Sequence, residues 1–164
     1  MSDGSGSTES AKPAQRAIVA GHGDFAAGLV SAVEVITGRG SQLIPVAVPG
    51  LCAEDIEKLI RERMVESGVK VIFTDLQAGS CTMAARKILR GADDAVLIAG
   101  VNLPTLLDFV FAEQMPAVDA ARHSAERGKI AITVVGAKGG AGVAGSGGGG
   151  GGGAGAGGGG VKQA

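Results

Sequence analysis

Two short segments of the chain combine a nucleophile, a carboxylate and glycine: Gly21-His22-Gly23-Asp24 and Asp75-Leu76-Gln77-Ala78-Gly79-Ser80. Neutral imidazole is a competent nucleophile near physiological pH. A carboxylate that accepts a hydrogen bond from one ring nitrogen leaves the other nitrogen free to attack. These residue types form a candidate constellation of a nucleophile in His22, an orienting carboxylate in Asp75, and an anion site in which Ser80 and nearby backbone N–H groups could hold phosphate oxygens.

The elements that must position these residues alternate between strand and helix. Short apolar runs predict strands at residues 17–20, 43–48, 69–74, 95–99 and 129–135. Amphipathic stretches predict helices at residues 25–37, 53–67, 82–89, from 104 onward, and 116–127. This alternation predicts an α/β fold: a doubly wound, mainly parallel sheet of order 2-1-3-4 with helices on both faces. The last strand has no helix after it, and we expect it as an antiparallel edge strand of its own sheet or, exchanged in a dimer, of a partner's.

The predicted strand order indicates where the site lies. In open α/β sheets, ligands bind outside the carboxyl ends of the strands at the point where the strand order reverses. For the order 2-1-3-4, that point lies between the first and third strands. His22 follows the first strand and Asp75 follows the third, so we expect the two side chains to meet there.

Each of these residues also has a plainer interpretation. A histidine at a strand end is often a surface residue, and Asp75 or Ser80 could cap the third helix. Turn chemistry alone would explain Asn102. His123 lies in the middle of a predicted helix and is interpreted as structural. Cys81 lacks a histidine at a spacing that would indicate a thiol nucleophile.

Composition excludes several classes of function. The chain has 164 residues, a net charge of −1 and 2% aromatic residues, so neither a basic surface nor stacking rings indicate a nucleic-acid partner. Two cysteines exclude a disulfide framework and a four-cysteine zinc site. Nothing in the sequence indicates a metal or a cofactor, and no signal peptide or membrane span is predicted, so the cytoplasm is the expected location.

Composition also divides the chain into three parts. Residues 1–15 are predicted to be a disordered leader because they contain too little apolar surface to fold. Residues 16–136 are predicted to form the functional domain. Residues 137–164 consist mostly of glycine and alanine and are predicted to be a flexible tail, whose purpose the composition does not identify.

Three segments resemble those of one protein family. Gly21-His22-Gly23-Asp24-Phe25-Ala26-Ala27-Gly28-Leu29 is similar to the opening of mannose-family IIA components of the bacterial sugar phosphotransferase system. Thr74-Asp75-Leu76-Gln77-Ala78-Gly79-Ser80 resembles that family's T-D-L-x-G-G-S segment, and Gly100-Val101-Asn102-Leu103-Pro104-Thr105-Leu106-Leu107 resembles its G-x-N-L-P-x-L-L segment. The segments occur in the family's order, and the resemblance covers residues 17–135. Ala78 and Cys81 depart from it, where the family usually has glycine and proline.

The resemblance implies a phosphohistidine carrier of a cytoplasmic sugar phosphotransferase system. His22 would accept a phosphoryl group from phospho-HPr and pass it to a IIB component, which serves membrane IIC and IID subunits during sugar uptake. Asp75 would orient the ring. Gly23, Gly79, Ser80 and Asn102 would bind the phosphoryl group or support its pocket. The resemblance also implies a homodimer whose last, antiparallel strand is exchanged. The sugar and the phosphorylated ring nitrogen stay open.

Three other functions are weighed against this one. The phosphodonor subunit of a dihydroxyacetone kinase also has a histidine after its first strand. The T-D-L and N-L-P segments fit the IIA components of the sugar phosphotransferase system better. A non-catalytic regulator of the same fold would bind a partner according to its phosphorylation state. A flavin or nucleotide module of flavodoxin-like fold is disfavoured because the glycine spacing does not match a phosphate-binding fingerprint.

Overall fold

The computed structural model describes residues 14–136 of the chain. The strands are β1 (Ala17–Gly21), β2 (Leu43–Ala47), β3 (Val71–Thr74) and β4 (Val96–Ala99). The helices are α1 (Phe25–Thr37), α2 (Ala53–Ser67), α3 (Ser80–Leu89), α4 (Leu103–Phe111) and α5 (Ala117–Ile130), and a short 3₁₀ turn at Gly40–Gln42 precedes β2. These elements belong to one compact unit that ends at Thr133. The described residues after it, 134–136, form neither helix nor strand.

The described strands form one parallel sheet in the order β2-β1-β3-β4, which confirms the predicted order. The central strands β1 and β3 are buried along their whole length. Complete burial is expected for short apolar strands that are covered on both faces. Ala20 of β1 pairs with Thr74 of β3, so the segments that follow these two strands leave the sheet side by side.

Helices cover both faces of the sheet, and successive residues of β1 point to opposite faces. Ala17 and Val19 belong to a core cluster that includes residues of α1, α4 and α5. Ile18 and Ala20 belong to a second cluster that includes residues of α2 and α3. The doubly wound architecture predicted from the alternation of strands and helices is therefore confirmed.

Glycine follows each of the first two helices directly after the last residue predicted to be helical. Gly38 follows α1 with φ +69° and Gly68 follows α2 with φ +72°, and each donates its backbone N–H to a carbonyl in the last turn of its helix. Both glycines have the left-handed backbone conformation that residues with a Cβ atom rarely adopt. This is why the predicted bounds of α1 and α2 agree with the structure.

The strand predicted at residues 129–135 is not formed, and this prediction was wrong for the single chain. Helix α5 continues to Ile130, and residues 132–136 have no regular structure. The Asn102 side-chain amide donates to the carbonyl of Gly128, and Gly128 approaches α4 so closely that a Cβ atom there would lie 1.9 Å from the Thr105 hydroxyl. This packing extends α5 past its predicted end. The β-branched residues that follow have no strand beside them, and a strand needs a neighbour to satisfy its backbone.

The predicted leader and tail fall almost entirely outside the described residues, which contain only residues 14 and 15 of the former. Within residues 14–136, no helix combines the length and the apolar character needed to cross a membrane.

Candidate functional site

The candidate site lies at the carboxyl ends of β1 and β3, where the order of the strands reverses. His22 is the first residue after β1, and Asp75 is the first residue after β3. Parallel strands end at the same edge of a sheet, so neighbouring strands bring the residues that follow them together. The structure thus joins His22 and Asp75, which are 53 residues apart in the sequence.

The Asp75 carboxylate holds His22 at two points. Oδ2 of Asp75 lies 2.7 Å from Nδ1 of the imidazole and accepts a second hydrogen bond, of 2.8 Å, from the backbone N–H of His22. An ionised carboxylate only accepts hydrogen bonds, so Nδ1 of a neutral ring carries the proton in this contact. The other ring nitrogen, Nε2, then has an unprotonated lone pair. The side chain of His22 is 55% exposed, whereas that of Asp75 is only 8% exposed.

Two opposing effects act on the pKa of Asp75. Desolvation by burial, the largest single effect, raises it. Hydrogen bonds from the backbone and the ring of His22, the charge of that ring, and a hydrogen bond from the backbone N–H of Leu76 lower it. The backbone N–H of Leu76 donates to Oδ1 of Asp75 over 2.8 Å. Together these contacts outweigh desolvation, so the pKa of Asp75 lies below its ordinary value and the carboxylate is ionised at neutral pH.

Glycines make room for the pair at two positions. A Cβ atom on Gly21 would lie 3.1 Å from Cγ of Asp75 and 2.5 Å from the ring of Phe25. A Cβ atom on Gly79 would lie 3.1 Å from Cε1 of His22. The predicted site residue Gly79 therefore contacts the imidazole, and Gly21, which the sequence analysis did not assign to the site, lets the carboxylate approach.

Gly23 is required for its backbone conformation rather than for its small size. Its φ of +53° is left-handed, and no atom outside its chain neighbours lies within 4 Å of a Cβ placed on it. The backbone N–H of Phe25 donates to the carbonyl of His22 in this turn. A residue other than glycine would strain the turn that presents His22 ahead of α1.

The start of α3 lies against the imidazole. Gly79 is the N-cap of α3, and Ser80 is its first helical residue, so the interpretation of Ser80 as an N-cap was wrong. Ser80 is half-buried. The first N–H groups of a helix have no partner within the helix and, with the helix dipole, favour an anion. Cε1 of His22, the ring carbon between Nδ1 and Nε2, is the atom that approaches Gly79, so this helix start lies beside the edge of the ring that has the two nitrogens.

Cys81, in the first turn of α3, is fully buried. Burial raises the pKa of its thiol, and the charge of Asp75 raises it further. The thiolate is the reactive form of cysteine, so these effects keep the side chain unreactive. No group of three or more His, Cys, Asp or Glu side chains suited to hold a metal occurs among residues 14–136.

Asn102, also a predicted site residue, makes its contacts elsewhere. It caps α4, accepting hydrogen bonds from the backbone N–H and the hydroxyl of Thr105 at 3.0 and 2.6 Å, and it donates to the carbonyl of Gly128. Within the described part of the chain, it makes no hydrogen bond to His22 or Asp75. Its loop does reach the site, because the N–H groups of residues 100 and 101 donate to the carbonyl of Thr74, the residue before Asp75.

A pair of buried hydroxyls lies behind the site and was not predicted from the sequence. Thr74 and Thr82 are both fully buried, and their Oγ1 atoms lie 2.6 Å apart. The Thr82 hydroxyl also donates to the carbonyl of Leu76, the residue after Asp75. A polar residue on the buried face of α3 was the signal that could have found Thr82.

Comparisons with known proteins point to one family. A family model described as the PTS system fructose IIA component matches residues 16–126. No curated protein sequence matches the chain.

Solved structures of similar fold include the component EIIA of a phosphotransferase system from Streptococcus agalactiae, with 20% identity, a TM-score of 0.62, and 73% of this chain and 95% of that chain covered. A mannose/sorbose-specific IIA subunit from Enterococcus faecalis has 17% identity and a TM-score of 0.64, with 76% and 97% covered. A PTS IIA protein associated with the fucose utilization operon of Streptococcus pneumoniae has 18% identity and a TM-score of 0.60, with 74% and 93% covered. At these identities, the likeness shows that the fold is shared.

The Asp75→Asn variant tests the electrostatics of the pair. Since hydrogen bonds favour the ionised carboxyl, we expect the variant to unfold more easily at neutral pH, by on the order of 2 kcal/mol. A carboxyl whose pKa is lowered by folding stabilises the protein above the ordinary pKa of about 4, and this contribution is lost as the pH falls through the lowered pKa. The difference between wild type and variant, measured by urea unfolding, should therefore shrink below about pH 4.

Asp93→Asn is the matched control, because Asp93 is an exposed carboxylate. Its substitution should change the free energy of unfolding little at any pH. A difference between wild type and Asp75→Asn that is the same at acidic and neutral pH would contradict the assigned role of the Asp75 charge.

Proposed function

The chain belongs to the family described as the PTS system fructose IIA component, and on that premise we propose that it is a phosphohistidine carrier of a sugar phosphotransferase system. His22 accepts a phosphoryl group from phospho-HPr and passes it to a IIB component. The observation that carries the proposal is the contact between Nδ1 of His22 and the Asp75 carboxylate. It orients an exposed ring and leaves one nitrogen able to attack.

The transfer is a displacement at phosphorus. The lone pair on Nε2 of His22 forms a bond to the phosphorus atom, the bond from phosphorus to the donor's histidine nitrogen breaks, and that electron pair returns to the donor ring. Nδ1 keeps its proton throughout. The His22 ring acquires positive charge as Nε2 is phosphorylated, and the Asp75 carboxylate, 2.7 Å from Nδ1, compensates it.

The remaining site residues serve the phosphoryl group and its approach. The N–H groups at the start of α3, with the Ser80 hydroxyl, receive its oxygens, which add a charge of about −1.5 to −2. Gly79 leaves space beside the ring, and Gly23 sets the turn that exposes it. Asn102 supports the pocket wall indirectly, by holding the loop that donates to the carbonyl of Thr74.

The exposure of His22 fits protein partners. The donor must bring its phosphorylated histidine to the His22 ring, and the acceptor must bring a nucleophile to the phosphorus that the ring then carries. The partners proposed are phospho-HPr, a IIB component and, through it, membrane IIC and IID subunits, so the protein would work in the cytoplasm. Residues 16–136 form the domain that does this. The chemistry proposed for them uses neither a metal nor a cofactor nor nucleic acid.

The purified chain, incubated with phosphoenolpyruvate, enzyme I and HPr, should gain one phosphoryl group that is lost in acid, as measured by intact mass. The His22→Ala variant should gain none, because it lacks the nucleophile. His123→Ala is the matched control. His123 is on the surface of α5, with its side chain 54% exposed beside Asp108, and this variant should be phosphorylated like the wild type.

A wild-type chain that stays unmodified beside a phosphorylated HPr would exclude the carrier function. Phosphorylation from a dihydroxyacetone kinase donor instead, or phosphorylation that no IIB component can remove, would favour the kinase subunit or the regulator. Loss of the phosphoryl group in His123→Ala rather than in His22→Ala would contradict the assignment of the nucleophile.

We also propose that the chain is a homodimer. β4 is at one edge of the sheet, and all of its residues are only half-buried. The segment after α5 exposes apolar side chains: Ile132 is 75% exposed and Val134 is 95% exposed. Within residues 14–136, the edge of β4 has backbone N–H and C=O groups without a neighbouring strand, and so does the segment after α5. When the segment of a second copy pairs along β4, each supplies the backbone hydrogen bonds that the other lacks. That pairing would form the predicted antiparallel strand between chains.

The double variant Ile132→Asp/Val134→Asp should sediment as a monomer in analytical ultracentrifugation, because two carboxylates would be buried against the partner's β4. Val65→Asp is the control: Val65 is 80% exposed on α2, and its substitution should leave the dimer intact. A monomeric wild type, or a double variant that remains dimeric, would exclude this interface.

A further inference from the structure

Two buried hydroxyls form a directed chain of hydrogen bonds behind the site. The Thr82 hydroxyl has one proton, which it donates to the carbonyl of Leu76. The Thr74 hydroxyl, 2.6 Å away, must therefore be the donor to Thr82 Oγ1. Both side chains are fully buried. The chain thus starts at the end of β3, passes through α3 and ends on the backbone of the loop that connects them.

The loop residue at the end of this chain is tied to the Asp75 carboxylate. The backbone N–H of Leu76 donates to Oδ1 of Asp75 over 2.8 Å, while the carbonyl of Leu76 accepts from Thr82. Both peptide groups of Leu76 are therefore held, one by the carboxylate and one by α3. Oδ2 of the same carboxylate holds His22. Thr82 is connected to the imidazole through Leu76 and Asp75 without touching it.

The side chain of Leu76 adds little burial to these two backbone hydrogen bonds. Its side chain is 53% exposed, and residues 77 and 78 are exposed as well. Without the Thr82 hydroxyl, the carbonyl of Leu76 could turn to water, and the loop would lose its tie to the rigid helix. The N–H that holds Oδ1 would turn with the same residue. A fully buried hydroxyl thus sets the orientation of a loop that has little packing of its own.

We propose that Thr82 is a positioning residue for phosphoryl transfer: it fixes the Leu76 backbone, which fixes the Asp75 carboxylate, which keeps the proton on Nδ1 of His22. This rests on the proposed function, in which Nε2 is the acceptor of the phosphoryl group. The hydroxyl raises the fraction of the ring that has a free Nε2. It acts on the tautomer and on the alignment of His22, and it makes no contact with the phosphoryl group.

The test compares Thr82→Val, which keeps the shape of the side chain without its hydroxyl, with Thr82→Ser, which keeps the hydroxyl. Imidazole ¹⁵N chemical shifts of the unphosphorylated protein report the ratio of the Nδ1–H to the Nε2–H tautomer. We expect the valine variant to shift this ratio about threefold to tenfold toward Nε2–H, the equilibrium effect of one hydrogen bond. The rate of transfer from phospho-HPr should fall by a similar factor, and serine should restore both.

Ser124→Ala is the control for the loss of a buried hydroxyl. Ser124 is fully buried in α5, and its hydroxyl donates to the carbonyl of Ala121. This variant should keep the wild-type tautomer ratio even if it loses stability. A Thr82→Val protein that folds and keeps both the wild-type ratio and the wild-type rate would overturn the proposal.

A second variant and a readout that needs no phosphoryl donor complete the test. If Thr82→Val does not fold, Thr82→Cys has a weaker donor at the same position, and its tautomer ratio and rate should lie below those of Thr82→Ser; equal values would contradict the proposal. The tautomer is measured without any phosphoryl donor. A failure of phospho-HPr to modify the wild type would therefore count against the proposed function, and an unchanged tautomer ratio would count against the role of Thr82.

Discussion

The site depends on one carboxylate that accepts two hydrogen bonds from the same histidine. Oδ2 of Asp75 binds both the backbone N–H and Nδ1 of His22, so the ring is fixed in position and in tautomer by a single atom. The hydrogen bonds and the charge of the His22 ring together more than offset the cost of burying the carboxylate, which is why the pKa of this carboxyl is lowered rather than raised. A protonated or displaced Asp75 would release both constraints at once.

The fold supplies what this contact requires. Adjacent parallel strands bring the two loops to one edge of the sheet. Gly21 leaves the space that the carboxylate occupies, and Gly79 lets the ring lie against the start of α3. Thr74 joins the β3 end to the neighbouring loop through its carbonyl and to Thr82 through its hydroxyl. The fully buried strands at the centre of the sheet thus carry an exposed imidazole.

Much of this could be predicted from the sequence, because local signals and topology agree. Gly38 and Gly68 mark the ends of α1 and α2, and the alternation of strands and helices predicts the order that brings His22 to Asp75. The predicted secondary structure was wrong where it depends on contacts between residues that are distant in the sequence. Residues 129–135 have strand composition, but the packing of Gly128 against α4 extends the helix, and the single chain offers the rest no strand to pair with. The roles of Thr82 and Gly21 depend on side chains that only the folded structure brings near.

Asp75 occupies Nδ1 of His22, and we therefore propose that the phosphoryl group is attached to Nε2. The most direct measurement is the NMR spectrum of the phosphorylated protein labelled with ¹⁵N in its imidazole rings, in which coupling to ³¹P identifies the bonded nitrogen. The structure predicts coupling at Nε2, with Nδ1 still protonated and bonded to Asp75. Coupling at Nδ1 would mean that the carboxylate leaves the ring before transfer, and it would contradict the account.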